Sequence, residues 1–323
     1  MRRRIMLLLA AGAAVLGATT ASAQTPYPTR PIKLVVPFAA GGNTDVMGRV
    51  LASRLSEQLG QTVAVDNRTG AGSVVGTELV AKAPADGYTI LLTTVAHAAN
   101  PAFYKKLPFD PVKDFEPIGL IAVVPLVLEI HPSLPATDLK SLIALFKANP
   151  GKYSYGSAGT GSAIHLAVEL FKRMAGVDVL HVPYRGAGPM LNELVSGQVA
   201  MTIDALSTSA PHIKAGALRG IAVSTPRRST VLPELPTIAE AGVPGYEAYT
   251  WVGFFAPAGT PRPVIDRLAA EVGRTSTDPG VRQRLEELGG EMVERSSPEG
   301  LATFLQAEMK KWMTLFEGAD KLD

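Results

Sequence analysis

The feature that most constrains this chain is a repeated order: a short apolar run, a glycine-rich turn, then a segment with apolar residues at helical spacing. In the first instance residues 32–36 are apolar apart from Lys33, and the turn PFAAGG follows. In NTDVMGRVLASRLSEQLG, Val46, Met47, Val50, Leu51, Leu55 and Leu59 then repeat at helical spacing. Asn43 or Thr44 can cap this helix, and Gly60 can end it. TVAVDN reads as a strand, residues 73–83 as a helix ended by PADG, and YTILLTT as another strand. Such alternation predicts an α/β protein with a mostly parallel sheet wrapped by helices. At 323 residues the chain exceeds what one core usually organises, so two units are expected.

The middle of the sequence supplies the seam. EPIGLIAVVPLVLEI, residues 116–130, is expected to form strands broken by Pro125 and to make the first crossing between units. Alternation restarts with the helix DLKSLIALFKANPG, the strand KYSYGS, a glycine loop, and the helix IHLAVELFKRMAG. Ile164, Ala167, Val168, Phe171 and Met174 share one face of that last helix. VDVLHVPY, VAMTIDA and LRGIAVST are three further strands, and the proline- and glycine-rich segment 231–261 is the return crossing. Trp251 and Phe254 lie within it and are expected as hinge packing ahead of ligand contact. Helical patterns run from residue 263 to the C-terminus, with Ser296 or Ser297 capping the last. The expected division is residues 24–125 with 246–323 as one lobe and 126–245 as the other. Two crossings between lobes are what a hinged, closing cleft requires.

The N-terminus, MRRRIMLLLAAGAAVLGATTASAQ, has three arginines, an apolar run and Ala21 and Ala23 before a cut at Gln24. It reads as a secretory signal, residues 1–23, cleaved after Ala23. The run is too short for the roughly 20 residues of a spanning helix, so a protein not embedded in a membrane is expected. Loss of Arg2, Arg3 and Arg4 takes Lys plus Arg from 31 to 28 against 29 acids, turning the net charge from +2 to −1. Without a basic excess, a nucleic-acid surface has no support. The chain has no cysteine, which removes disulfides, thiol catalysis and a lipid-modified N-terminal cysteine.

Three chemistries can be asked of VVPFAAGGNTD. A P-loop needs a lysine after its last glycine, and neither Gly41 nor Gly42 is followed by one; GxGxxG is also absent. As a catalytic turn it offers only Asp45. In YGSAG and GTGSA, Tyr155 and Thr160 stand where GxSxG needs glycine, so Ser157 and Ser162 lack the esterase elbow. His97, His131, His165, His181 and His212 show no HExxH pair, and no metal or cofactor is expected. The remaining reading is an anion socket, in which strand-end glycines let amides converge and the following helix aims its N-terminus at the same spot. SAGTGSAIH repeats the arrangement in the second unit, with hydroxyls on Ser157, Thr160 and Ser162. Both loops would lie at the carboxyl ends of strands, where ligands of open α/β sheets bind.

PFAAGGNTD, NRTGAGSVVGTELVAKAPADGYTILL, KLPFDPVKDFEPIGL, YGSAGTGSAIHLAVELFK, HVPYRGAGPMLNELVSGQV and GVPGYEAYTWVGFFAPAGTP occur in this order over nearly the whole mature chain. Together they resemble the extracytoplasmic substrate-binding proteins of tripartite tricarboxylate transporters, the Bordetella uptake gene proteins. That resemblance implies a two-lobed periplasmic binding protein, closing like a Venus flytrap on a small mono-, di- or tricarboxylate. It implies a periplasmic monomer without enzymatic activity that delivers its ligand to inner-membrane permease subunits. Carried over by position, the first lobe offers Phe38, Ala39, Gly41, Gly42 and Asp45, with Thr94 and His97 from the strand-end loop TTVAHAAN. The second offers Ser157, Gly159, Thr160, Ser162 and His165, with Arg185, Gly186 and Asp204. Arg185 pairs a second carboxylate or is a surface arginine, and Asp204 accepts from the ligand or caps the next helix. Two other functions stay open: a secreted hydrolase using one of these serines with His97 or His165, and a receptor that reports to a sensor protein.

Overall fold

The structure, a computed structural model, describes residues 27–318 and 321. The expected signal segment lies outside the described residues.

In the first sheet β1 (Ile32–Val36) runs parallel between β2 (Val63–Asn67) and β3 (Thr89–Thr93). β3 pairs antiparallel with β9 (Tyr249–Pro257), and β9 pairs with the first eleven residues of β4 (Phe115–Ile130), whose other edge takes β10 (Glu291–Met292). The second sheet places the end of β4 between β7 (Met201–Ala205) and β8 (Arg219–Val223), both antiparallel to it. β7 continues in parallel to β5 (Ser154–Ser157), and β5 to β6 (Leu180–Pro183). Strands are thus parallel away from the crossings and antiparallel where the chain passes between sheets.

Helices cover the sheets: α1 (Asn43–Leu59), α2 (Val74–Ala81), α3 (Ala96–Phe103), α4 (Leu139–Ala148), α5 (Ala163–Ala175), α6 (Ala187–Val195), α7 (Leu206–Lys214), α8 (Arg262–Thr277), α9 (Pro279–Glu287) and α10 (Pro298–Leu315). α1 buries Met47, Leu51, Leu55 and Leu59 and stops at Gly60, whose φ of 65° suits glycine. Fully buried Leu34 and Leu51 each stabilise the first lobe by roughly 1.5–3 kcal/mol. The cap of α1 is Gly42, not Asn43 or Thr44, and no side chain caps it. Ser297 caps α10, accepting from Gly300 N. This last helix returns to the first lobe, where Phe316 meets Phe103 at 4.4 Å between ring centroids. Trp251 and Phe254 are fully buried; Trp251 meets Phe304 of α10 edge-on.

Two expectations need correction. Residues 116–130 do not break at Pro125 but belong to one 16-residue strand, Phe115–Ile130. Pro125 is the last residue facing β9, opposite Tyr249, and Leu126 is the first facing β7, opposite Ala205. The ladder loses its proline donor at the handover between sheets, where one missing bond matters least. The segment read as the loop TTVAHAAN becomes α3 from Ala96 onward, despite Pro101 inside it. Small alanines favour helix there, and the buried face of His97, Ala98, Ala99 and Ala102 holds it down.

Both crossings meet at Ser224, which is fully buried. Its N–H donates to Leu126 O, its hydroxyl accepts from Leu126 N and donates to Ala248 O, and its carbonyl accepts from Ala248 N. One residue thereby ties the outgoing strand to the returning one.

Candidate functional site

A cavity of about 560 Å³ opens between the two sheets. In the first lobe, the turn after β1 brings Phe38, Ala39 and Gly42 to its wall. Gly41 itself faces elsewhere, with φ 80° and its N–H 2.8 Å from the Asp45 carboxylate. Asp45 also accepts from Asn67 Nδ2 at 2.9 Å and Arg49 Nε at 3.0 Å, and Asn67 reaches back to Phe38 O. Burial opposes ionisation of Asp45, but the hydrogen bonds from Arg49, Gly41 and Asn67 outweigh it and hold its carboxyl below the usual range. Asp45 therefore tethers the turn and does not line the cavity. Because no side chain caps α1, the amides of its first turn remain available to an anion.

In the second lobe the loop after β5 places Gly159, Thr160 and Ser162 on the wall, and the loop after β6 adds Arg185 and Gly186. Ser162 caps α5, accepting from His165 N at 3.3 Å. Ser157 and His165 stand behind this loop, outside the cavity lining. Ser157 Oγ accepts from Gly159 N at 3.1 Å and lies 2.7 Å from His181 Nε2. His165 Nδ1 accepts from Gly161 N at 3.2 Å. Ser157 and His181 make the pair a hydrolase would want, but the serine is fully buried and faces no substrate space.

The floor comes from Leu126 and Thr250 on the crossing strands β4 and β9, with Thr94 just after β3 and Asp204 on β7. Burial pushes the Asp204 carboxyl up to about 6, against hydrogen bonds from Ala205 N–H and Thr208. Thr208 Oγ1 of α7 donates to it at 2.9 Å, while the N-cap of α7 is Ala205 with no side-chain cap, so Asp204 lines the cavity and does not cap the helix. Burial, and then the nearby Asp204, raises the Glu129 carboxyl well above the usual carboxylate range.

His97 is not at the site. Its ring is fully buried among Phe109, Phe115 and Phe255, with Nε2 donating to Pro111 O at 2.9 Å, and burial lowers it to about 4. Position after a strand suggested a ligand contact, whereas the aromatic cage of α3 makes it a core residue. Sequence reasoning also missed a third loop. Thr69 to Ser73 line the cavity, and Ala71, Gly72 and Ser73 all have positive φ, 44°, 59° and 89°. Its signal was legible, since NRTGAGSVVG repeats the strand, glycine, helix order. Asn100 Nδ2 and Tyr104 OH of the first lobe fix its backbone and Ser73.

The lobes touch around the cavity. A methyl group on Gly72 would stand 1.9 Å from Thr160 O, and one on Gly186 2.9 Å from Ala39 Cβ. Ser207 Oγ donates to Asn43 Oδ1 at 3.1 Å on the same rim. Among the described residues no group of three or more His, Asp or Glu side chains is placed to hold a metal ion, and no helix is long and apolar enough to cross a membrane.

Two sheets joined by paired crossings, with a cavity lined from both, define a two-lobed solute-binding protein of the periplasmic type. The model of the tripartite tricarboxylate transporter family receptor matches residues 47–320, and the chain belongs to that family. It is 42% identical over 315 residues to a UPF0065 protein in the tcbD-tcbE intergenic region of Pseudomonas sp. (strain P51), covering 97% of this chain and 93% of that one. Protein BugT of Bordetella pertussis is 38% identical, covering 91% of this chain and 90% of its own. Among solved structures, an R. palustris protein with adipate is 41% identical with a TM-score of 0.84, covering 90% of this chain and 97% of that one. MatC from Rhodopseudomonas palustris with bound malate is 34% identical with a TM-score of 0.86, covering 90% and 100%.

Proposed function

We propose that this chain is an exported receptor that captures a small carboxylate between its lobes and passes it to permease subunits of a tripartite tricarboxylate-type transporter. The observation that carries the reading is the convergence of two helix N-termini, α1 and α5, from opposite lobes on one cavity. The N-terminal segment 1–23 directs export to the periplasm and is cut after Ala23. Residues 24–125 and 246–323 make one lobe, 126–245 the other, and the receptor acts as a monomer without catalysis. The ligands of two relatives, adipate and malate, support a carboxylate.

Gly42 and the first turn of α1, with Thr160 and Ser162 facing them, hold the acid group. Phe38, Leu126 and Ile164 supply apolar walls for the ligand body. Arg185, exposed at the mouth, receives a second acid group where the ligand has one. A dissociation constant of 1 μM requires about 8 kcal/mol. Hydrogen bonds to a charged group contribute roughly 1.5–3 kcal/mol each, so four or five donors reach that range before association costs. Closure excludes water and keeps each bond near the upper value.

Calorimetric titration of the mature protein with mono-, di- and tricarboxylates tests this. At least one acid binds at micromolar concentration, and Thr160→Ala combined with Ser162→Ala weakens it about tenfold. Binding of no acid in the panel would remove the reading, and unchanged affinity in the double variant would remove that loop from the site.

A further inference from the structure

Two histidines stand behind the second-lobe loop in an arrangement that carriage of an anion does not by itself require. The rings of His165 and His181 lie 4.4 Å apart between centroids. His165 is bonded to the loop through a nitrogen that must be unprotonated, since its Nδ1 accepts the Gly161 N–H. Ser157 accepts the Gly159 N–H and shares a 2.7 Å hydrogen bond with His181 Nε2, in which either group can donate. The direction of the Gly161 amide therefore depends on a neutral His165 imidazole. A proton on His165 Nδ1 would set donor against donor and force the Gly161 peptide to turn.

The same histidine meets the other lobe. Phe103 of α3 packs edge-on against His165 at 5.6 Å, and its far side rests on Phe316 beyond α10. His165 is only 7% exposed with the lobes together. The charged groups facing it are Glu169 and Lys172, on its own helix, and His181 on β6. Tyr155 of β5 stacks on His181 and donates to Glu169, which also accepts from Lys172. From α3, Phe103 packs on the ring, and neutral Asn100 stands near Gly161. Parting of the lobes takes Phe103 away from the ring.

We propose that His165 is a positioning residue that sets the second-lobe anion loop in its neutral form, and that docking of Phe103 on His165 couples cleft closure to that form, so acid releases the ligand. This rests on the carboxylate-capture reading given above. Burial holds His165 down to about 4, His181 and Lys172 push the same way, and Glu169 opposes. With Phe103 withdrawn, the ring regains water and its proton affinity rises toward the ordinary value of about 6.5. Protonation then favours the open form. The closed form keeps its full advantage above about pH 6.5 and loses it progressively as pH falls toward 4, with a ceiling of about 30-fold at pH 5. Asp204 acts in the opposite sense, since burial raises its carboxyl and a proton there relieves the closed form.

Adipate affinity is measured by calorimetry from pH 7.5 to pH 5 for the wild type and for His165→Gln, which keeps an acceptor for Gly161 but does not titrate. Asp204 and the acid itself titrate in both proteins, so the ratio of the two isolates the histidine. The wild type weakens about tenfold more than the variant over this range; equal weakening overturns the proposal. If adipate binds at no pH, dicarboxylate capture loses its support, and a second measurement still decides the histidine role. In ligand-free protein with labelled histidine and glycine, the Gly161 amide resonance follows the His165 ring titration. A Gly161 amide that stays still through that titration overturns the proposal.

Discussion

The two anion loops reach similar shapes by different tethers. In the first lobe Gly41 is held by an ionised carboxylate, Asp45, itself fixed by Arg49 and Asn67, and the helix behind it has no side-chain cap. In the second, Gly159 and Gly161 are held by a hydroxyl and an imidazole, and Ser162 caps the helix. A carboxylate tether is strong and insensitive to pH near neutrality, whereas a neutral histidine tether is weaker and yields to acid. One jaw is therefore fixed, and the other is conditional.

The largest effect comes from the place where the jaws meet. Gly72→Ala sets a methyl 1.9 Å from Thr160 O, so the lobes are propped apart. Ligand affinity falls at least about 100-fold, equal to about 2.7 kcal/mol, while circular dichroism stays that of the wild type. An alanine variant that binds normally would show that this rim contact is not part of the liganded form.

Next, the tethers are set against each other. Asp45→Ala strips the acceptor from Gly41, Asn67 and Arg49 and weakens binding about 30-fold, since charged hydrogen bonds are lost. Ser157→Ala removes neutral bonds only and costs about fivefold at pH 7.5. Equal losses by calorimetry would erase the distinction between fixed and conditional jaws.

The first lobe has its own acid weakness, away from its loop. His97 is neutral in the core with its proton affinity lowered to about 4. The stability this represents is present above about pH 6.5 and is lost as pH falls toward 4, amounting to about 2 kcal/mol at pH 5. Urea unfolding at pH 7.5 and pH 5 reads that drop, and His97→Gln lessens it by about 2 kcal/mol, leaving the part that belongs to His165. The smallest effect is at the mouth. Arg185→Gln weakens dicarboxylates by about fivefold or less and leaves monocarboxylates unchanged, because an exposed ion pair contributes at most about 1 kcal/mol.

Much of this was legible in the sequence, because strand, glycine turn and helix each leave a local mark. Gly60 ending α1 and Ser297 capping α10 are read from neighbours in the chain. Of the loop residues on the cavity wall, Gly42, Gly159, Thr160 and Ser162 follow from the same grammar, whereas Phe38, Ala39, Arg185 and Gly186 came from the family resemblance. What was hidden depends on distant partners. Whether a residue lines the cavity or stands one layer behind it is decided by partners such as Asn67 for Asp45 and His181 for Ser157. His97 became a core residue because Phe109, Phe115 and Phe255 surround it, from segments that no local pattern links to it. Pro125 misled for a related reason: a proline breaks a ladder only where its partner strand continues, and here the partner changes.

The unbroken run of β4 through both sheets, knotted to the return path at Ser224, governs how such a molecule opens. Both crossings are hydrogen-bonded backbone at this point, so opening twists a ribbon over several peptide units and does not swing on a slack tether. The resulting travel is negligible at the base and greatest at the outer lips. Entry of a solute is thus gated farthest from where the backbone yields.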